Sequence, residues 1–239
     1  MLATIHQPEH LPWLGFFDKA RRADLLVLLD DVQFRKNYFQ NRNRVRAANG
    51  PVWVTVPVLT KGNADQEIRE VKINSEGSPR WREKYWGTIE QSYRGSPFWN
   101  DYSVALREAL WMNTSSLVAV NIGLIKVLLR AFGIDVRVLC SSELSVEGAR
   151  SERLLNICRR VGADRYLSGI SGREYLDVDA FKAAGVAVEF HEFHHPLYRQ
   201  QYEPFLPCMS AVDLLFNYGP ASADTLRGVG VEVMAEVFT

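Results

Sequence analysis

Three observations predict an α/β fold, built on a mainly parallel sheet with flanking helices. Short apolar runs rich in Val, Ile and Leu alternate with helix-period segments near both ends of the chain. Clusters of His, Asp, Arg and Ser fall where the strand-like runs stop, which is where ligands bind in open α/β sheets. A block of helical pattern, residues 78–132, interrupts the alternation, so the reading is a single 1–239 domain with a helical insertion or subdomain.

Each element has its own signal. Residues 1–5 read as a first strand, 13–22 as a helix and 25–29 as a second strand. Pro8 and Pro12 stiffen the turn between the first strand and the helix. The β-branched and aromatic run 52–58 reads as a strand after the Asn49-Gly50-Pro51 turn. After a loop at 61–65, charges alternate with apolar residues over 69–73, as in a one-sided strand. Helices are expected at 79–93, 99–112 and 115–132, the last apolar on most faces and closed by Gly133. Strands at 136–139, 165–167 and 186–190 then alternate with helices at 151–161 and 178–184. A last helix, 210–217, has Ser210 as its expected N-cap.

Composition excludes several classes. Lys plus Arg equals Asp plus Glu at 28 each, so no global field draws the chain to nucleic acid. No apolar run approaches the roughly 18 residues of a membrane span, and no signal peptide opens the chain; a cytoplasmic protein is expected. Cys140, Cys158 and Cys208 are odd in number and lack CxxC spacing, which fits reduced thiols rather than a disulfide or zinc framework. Cys208 stands at an expected loop-to-helix junction, where a thiol pKa can drop.

Four polar clusters carry the functional reading. The first, at the first strand's end, holds His6, Gln7, His10 and Lys19. His6 there is either a phosphate stabiliser and proton-transfer group or a ring bonded to nearby backbone; His10 reads as a surface residue. The second holds Asp30, Asp31, Gln33 and Lys36, then Arg42, Asn43 and Arg44. Within it, cations at 35, 36, 42, 44 and 46 flank Tyr38 and Phe39, a composition that suits an anion site. The third, Ser168-Gly169-Ile170-Ser171-Gly172-Arg173, is expected to join a strand to a helix. Its small residues would then let backbone N–H groups and the helix dipole meet a phosphate. It is neither a Walker A loop nor a dinucleotide fingerprint. The fourth runs from His191 to Gln200 and includes His194, His195 and Tyr198; its spacing matches no standard zinc motif. No G-x-S-x-G elbow supports a hydrolase.

Several of these residues resemble the WbqC-like family of bacteria. The likeness rests on His6-Gln7-Pro8, Leu11-Pro12-Trp13, Gly15-Phe16-Phe17 with Lys19, and Asp31-Val32-Gln33-Phe34. It continues through Asn41-Arg42-Asn43, Val56-Pro57, Tyr166-Leu167-Ser168-Gly169, Tyr175-Leu176, Pro196-Leu197-Tyr198 with Gln200, and 210–217. His10 departs from it, because the family more often shows Tyr there. The resemblance implies a cytoplasmic protein of surface-polysaccharide or modified-sugar gene clusters. For some members it implies transfer of an amino acid such as glycine to the amine of a nucleotide-linked sugar. The strand, His-rich turn and helix are also similar to nucleotidylyltransferases with a HIGH or HxGH signature, although the His6-to-His10 spacing is one residue longer. In those enzymes the turn histidines stabilise an ATP phosphate that a later loop grips, a part Arg173 could play here.

Together these likenesses imply ATP with Mg²⁺ as cofactor, and a nucleotide sugar and a small carboxylate as substrates. His6, Lys19 and Asp31 are the expected catalytic residues, with Asp31 holding Mg²⁺ or the incoming amine. Gln7, Trp13, Gln33, Lys36, Arg42, Asn43, Ser168, Ser171, Arg173, His195, Tyr198 and Gln200 are the expected binding residues. Two other readings use the same residues: an ATP-independent acyl- or glycosyltransferase with His6 as general base, and a non-catalytic sugar-nucleotide binder.

Overall fold

The computed structural model describes residues 1–63 and 65–234; Ala64, inside the expected 61–65 loop, lies outside the described residues. In chain order the elements are β1 Leu2–His6, α1 Leu14–Arg21, β2 Leu25–Leu28, β3 Arg42–Ala47, β4 Gly50–Thr55, α2 Trp81–Tyr93, α3 Trp99–Leu110 and α4 Leu117–Ala131. They continue with β5 Arg137–Cys140, α5 Arg150–Val161, β6 Arg165–Gly169, α6 Val178–Ala183, β7 Ala187–His191, α7 Val212–Tyr218 and α8 Ser222–Leu226. The chain packs as two compact units. The first takes Met1–Gln7, Gly15–Asp31 and Asp135–Phe193; the second takes Pro8–Leu14, Val32–Ile134 and the chain from His194 onward.

The first unit is the α/β fold that the alternation predicts. Its five strands are all parallel, in the order β5-β2-β1-β6-β7. Residues 2–5 and 25–28 are buried throughout, because helices cover a parallel sheet on both faces. On one face Ala3, Ile5, Leu25 and Val27 pack with Ile157 and Cys158 of α5 and Phe181 of α6. Burying one such aliphatic side chain is worth about 1.5–3 kcal/mol. Gly162 ends α5 at φ +73, a left-handed position that costs little without a Cβ. Counted along the chain, the strands lie in the order third, second, first, fourth, fifth. The connections therefore reverse direction between β1 and β6, at a topological switch point.

The second unit contains the helical block. Its β3–β4 hairpin closes at Ala47↔Gly50, with Gly50 at φ +119. Ser116 caps α4 by accepting from the Ala119 N–H at 3.4 Å. Leu117, Val120, Leu124 and Leu128 of α4 are buried, as its apolar pattern requires. Phe216 of α7 packs on Tyr93 and Trp99, at 5.1 and 5.0 Å between ring centroids.

Two expectations are corrected here. Residues 69–73 do not form a strand. A 3-10 turn occupies Ile68–Glu70, because the Glu67 N–H donates to the Glu70 carboxylate at 2.9 Å, and only isolated bridges follow at Lys72 and Ile73. Ser210 does not cap α7 in the usual way; the helix begins after Ala211, which is itself helical.

Candidate functional site

At the switch point of the first unit the sheet opens. The β1–β6 ladder stops at Thr4↔Leu167. Beyond it β1 stays paired with β2 to His6↔Leu28, and β6 with β7 to Gly169↔His191. The Ile5 carbonyl, past the end of that ladder, accepts from Lys19 Nζ at 3.2 Å. Lys19 comes from α1 and is buried, so the sheet's opening holds an ammonium group.

His6 ends β1 and is half-buried. Its Nδ1 lies 3.1 Å from the Gln7 carbonyl and its ring meets Phe16 edge-on at 5.0 Å. A carbonyl only accepts, so Nδ1 carries the proton and Nε2 is the acceptor nitrogen of the neutral ring. Burial, then the Lys19 charge, lower the His6 pKa to about 3, and the ring is neutral at physiological pH. At the end of β7, His191 Nε2 donates to Asp18 at 2.6 Å, and Arg21 and Arg22 bind the same carboxylate at 2.6 and 2.9 Å. Burial pushes the Asp18 pKa up, but the His191 hydrogen bond and the two guanidinium charges outweigh it and hold the carboxyl below its ordinary value.

The other expected residues of this unit are placed as follows. Asp31 binds Arg153 and Ser141, while Asp30 accepts from Ser142 N at 3.0 Å and Ser142 Oγ at 2.8 Å. Both carboxylates thereby fasten β2 to the turn after β5. Ser168 is buried and its Oγ donates to the Gly169 carbonyl at 3.1 Å. A Cβ on Gly172 would meet that Oγ at 2.1 Å, so glycine is the residue that fits there. The 168–173 loop leads to the expected helix, α6, but does not adjoin its start. It becomes a 3-10 turn, Ile170–Glu174, and α6 starts only after its own cap, Asp177, so no helix dipole serves the loop. Ser171 is exposed, and so is Arg173, which pairs with Glu192 at 2.9 Å.

The second unit holds the remaining expected residues. Asn43 donates to the Leu11 and His10 carbonyls at 2.8 and 3.2 Å and accepts from Arg44 N at 2.8 Å. It thereby fixes the 8–14 segment, where Leu11 sits at φ +42. Trp13 bridges to Ser210, and exposed Gln33 donates to Asp65 at 3.3 Å. Lys36 is exposed. The Arg42 guanidinium lies 4.1 Å from the Trp53 ring centre, a cation–π contact. His195, Tyr198 and Gln200 are buried. His195 Nδ1 donates to the Pro196 carbonyl at 2.8 Å and Nε2 accepts from Cys208 N at 3.2 Å; burial lowers its pKa to about 4. Tyr198 and Gln200 donate to Asp213 at 2.7 and 2.8 Å.

His10 is not on the surface; it is fully buried. Asn121 Nδ2 donates to the Pro8 and Gln40 carbonyls, both at 2.8 Å, which leaves its oxygen for His10 Nδ1–H at 2.7 Å. His10 Nε2 then accepts from the Tyr85 hydroxyl at 2.6 Å. Cys208 is likewise corrected: burial raises its thiol pKa rather than lowering it. Among the described residues no cluster of three or more His, Cys, Asp or Glu could hold a metal ion.

The WbqC-like family model matches residues 7–225, nearly the whole chain. The chain belongs to the WbqC-like protein family. It is also 32% identical to the uncharacterized protein Rv1507c of Mycobacterium tuberculosis over 226 residues, which cover 94% of this chain and 96% of that protein. No solved structure matched. The WbqC-like motif His6-Gln7-Pro8 straddles the division between the units, so its residues serve different ends: His6 the sheet opening, Pro8 the Asn121 node. Sequence reasoning missed Asp18 and passed over His191. The i+3 and i+4 arginines beside Asp18, and the strand-end position of His191, were the available signals.

Proposed function

We propose that this protein is a cytoplasmic enzyme of surface-polysaccharide biosynthesis that forms an amide on a nucleotide-linked amino sugar. The acyl group is an amino acid such as glycine, activated with ATP as an acyl-adenylate. The observation that supports this reading is the opened sheet edge of the first unit, where the buried Lys19 ammonium and the neutral His6 ring meet at a switch point.

The chemistry follows from those two groups. ATP supplies the leaving pyrophosphate that makes carboxylate activation favourable. Lys19 stabilises negative charge on a phosphoryl group in a site of low dielectric. An arriving phosphoanion raises the His6 pKa, so the ring takes up a proton and becomes a second cationic donor. Arg173 and the small residues of 168–173 would line the same edge. Asp31 fits a Mg²⁺ role poorly, since Arg153 and Ser141 already hold its carboxylate, and no step is assigned to a metal there. The ATP-independent reading draws on the acceptor character of His6 Nε2, but a base whose conjugate acid has a pKa of about 3 is a weak one near neutrality.

The test is amino-acid-dependent ATP–pyrophosphate exchange. His6→Ala is expected to abolish it while the circular dichroism spectrum is unchanged. Full exchange in that variant would remove His6 from the mechanism.

A further inference from the structure

A second cleft lies within the second unit, between β4 and the start of α2. Its volume is about 500 Å³, within the range of small-molecule sites. Trp53, Trp81 and Tyr85 provide aromatic walls, Arg80 and Lys84 provide cations, and Thr55, Ser78 and Thr88 provide hydroxyl groups. Among the described residues that line it there is no carboxylate. Trp81 is only 6% exposed, and its indole N–H is buried without an acceptor. At the same end of α2 the N-cap residue, Arg80, contributes no side-chain acceptor to the first helical turn. Trp53 also carries the Arg42 and Arg44 guanidinium groups, 4.1 and 5.7 Å from its ring centre, and the Nε of each is buried without a partner.

We infer that this cleft binds the sugar-nucleotide substrate, a nucleoside diphosphate joined to a sugar. Its composition selects that chemistry: a flat surface for a base or sugar ring, cations without carboxylates for a diphosphate, and hydroxyl groups for sugar oxygens. A nucleic-acid strand would need a longer track of cations than this cleft carries. The His10 node supports the same wall, because Tyr85, whose hydroxyl His10 fixes, lines it. The choice of a sugar nucleotide rests on the function proposed above; the placement in this cleft does not.

The test uses the full chain. UDP, dTDP, GDP, CDP and UDP-N-acetylglucosamine are titrated by calorimetry and by tryptophan fluorescence. Trp53 is 43% exposed and Lys84 is exposed, so Trp53→Ala and Lys84→Glu are expected to fold. At least one of these nucleotides should bind the wild type and quench its fluorescence. Both variants should weaken that binding tenfold or more, whereas Lys126→Glu, a charge reversal on the exposed face of α4, should not. Equal affinity in wild type, Trp53→Ala and Lys84→Glu overturns the inference, and so does absence of binding by all five nucleotides at millimolar concentration. Cleft-dependent binding without ATP–pyrophosphate exchange in the wild type would support the cleft and reject the ligase reading.

Discussion

His6 and His10 stand four residues apart, in one motif, and both have a lowered pKa, yet the chain sends them into different compact units. His10 is sealed, with one ring nitrogen on Asn121 and the other on Tyr85. His6 is half-buried at an opened sheet edge beside an ammonium group. A second sealed node of the same kind surrounds Asp213, which accepts from Tyr93, Tyr198 and Gln200. The same side-chain chemistry thus holds a backbone segment in one place and stands at an opened sheet edge in the other. What separates the two is position: His10 is sealed in the interior, whereas His6 ends a strand where the sheet opens.

The strongest way to break this comparison is at Asp213. Asp213→Ala would leave three buried donors without an acceptor, each costing about 1–3 kcal/mol, so a loss of about 3–9 kcal/mol is expected. Total stability is only about 5–15 kcal/mol, so this variant could fail to fold. Asp213→Asn keeps one acceptor oxygen and is expected to lose about 1–2 kcal/mol. Urea denaturation measures both. An Asp213→Ala protein as stable as wild type would mean the node is not sealed.

Next comes the histidine pair itself. His6→Ala is expected to lower ATP–pyrophosphate exchange by about 10²–10⁴-fold, with stability within about 1 kcal/mol of wild type. His10→Ala should do the reverse. It orphans Asn121 Oδ1 and the Tyr85 hydroxyl, for a loss of about 2–6 kcal/mol, with ATP–pyrophosphate exchange per folded molecule kept within a few-fold. If both variants lose activity equally at constant stability, the distinction between open and sealed histidines is wrong.

The distinction also explains what could be read from the sequence. The buried runs of β1 and β2 and the helix pattern between them are local, so the parallel α/β core was legible. The 69–73 pattern misled because a local carboxylate-to-N–H bond at Glu67 and Glu70 overrides charge alternation. His10 was unreadable for a different reason: the partners that seal it lie 75 and 111 residues away, and no periodicity reports them. Cys208 belongs to the same class, since its N–H is bound to His195 and its thiol is buried by the fold.

A smaller effect, read per residue, comes from pH. His6, His10 and His195 rest near pKa 3, 4 and 4, below the ordinary 6.5. For a base with a depressed folded pKa, the unfolded chain takes the proton first. Stability is therefore complete above pH 6.5 and falls as pH drops toward 4. Each histidine is expected to contribute a slope of about 1 kcal/mol per pH unit in that window. Asp213 works in the opposite sense. Its carboxyl is raised above 3.8 by burial, so its share is complete below 3.8 and is lost as pH rises through the folded value. Asp18 is depressed, so its share is lost only as pH falls below 3.8, beneath the histidine window. Pyrophosphate should flatten the slope by one histidine's share in the wild type and have no such effect in His6→Ala. A slope insensitive to pyrophosphate would count against an anion at the open edge.

The smallest change expected in the folded state is at Arg173, and it sharpens how far the open edge extends. Its guanidinium pairs with Glu192 at 2.9 Å and lies 5.3 Å from the Phe190 ring centre, but both partners of the ion pair are more than half exposed. Exposed pairs contribute about 0–1 kcal/mol, so Arg173→Ala should leave urea stability nearly unchanged. A residue with so little structural duty can lose a phosphate contact without a folding effect to confuse the result. The KM for ATP is expected to rise several-fold at constant kcat, as when a contact equal in ground and transition states is removed. An unchanged KM would confine the working edge to His6 and Lys19, and would leave Arg173 as a solvated partner of Glu192.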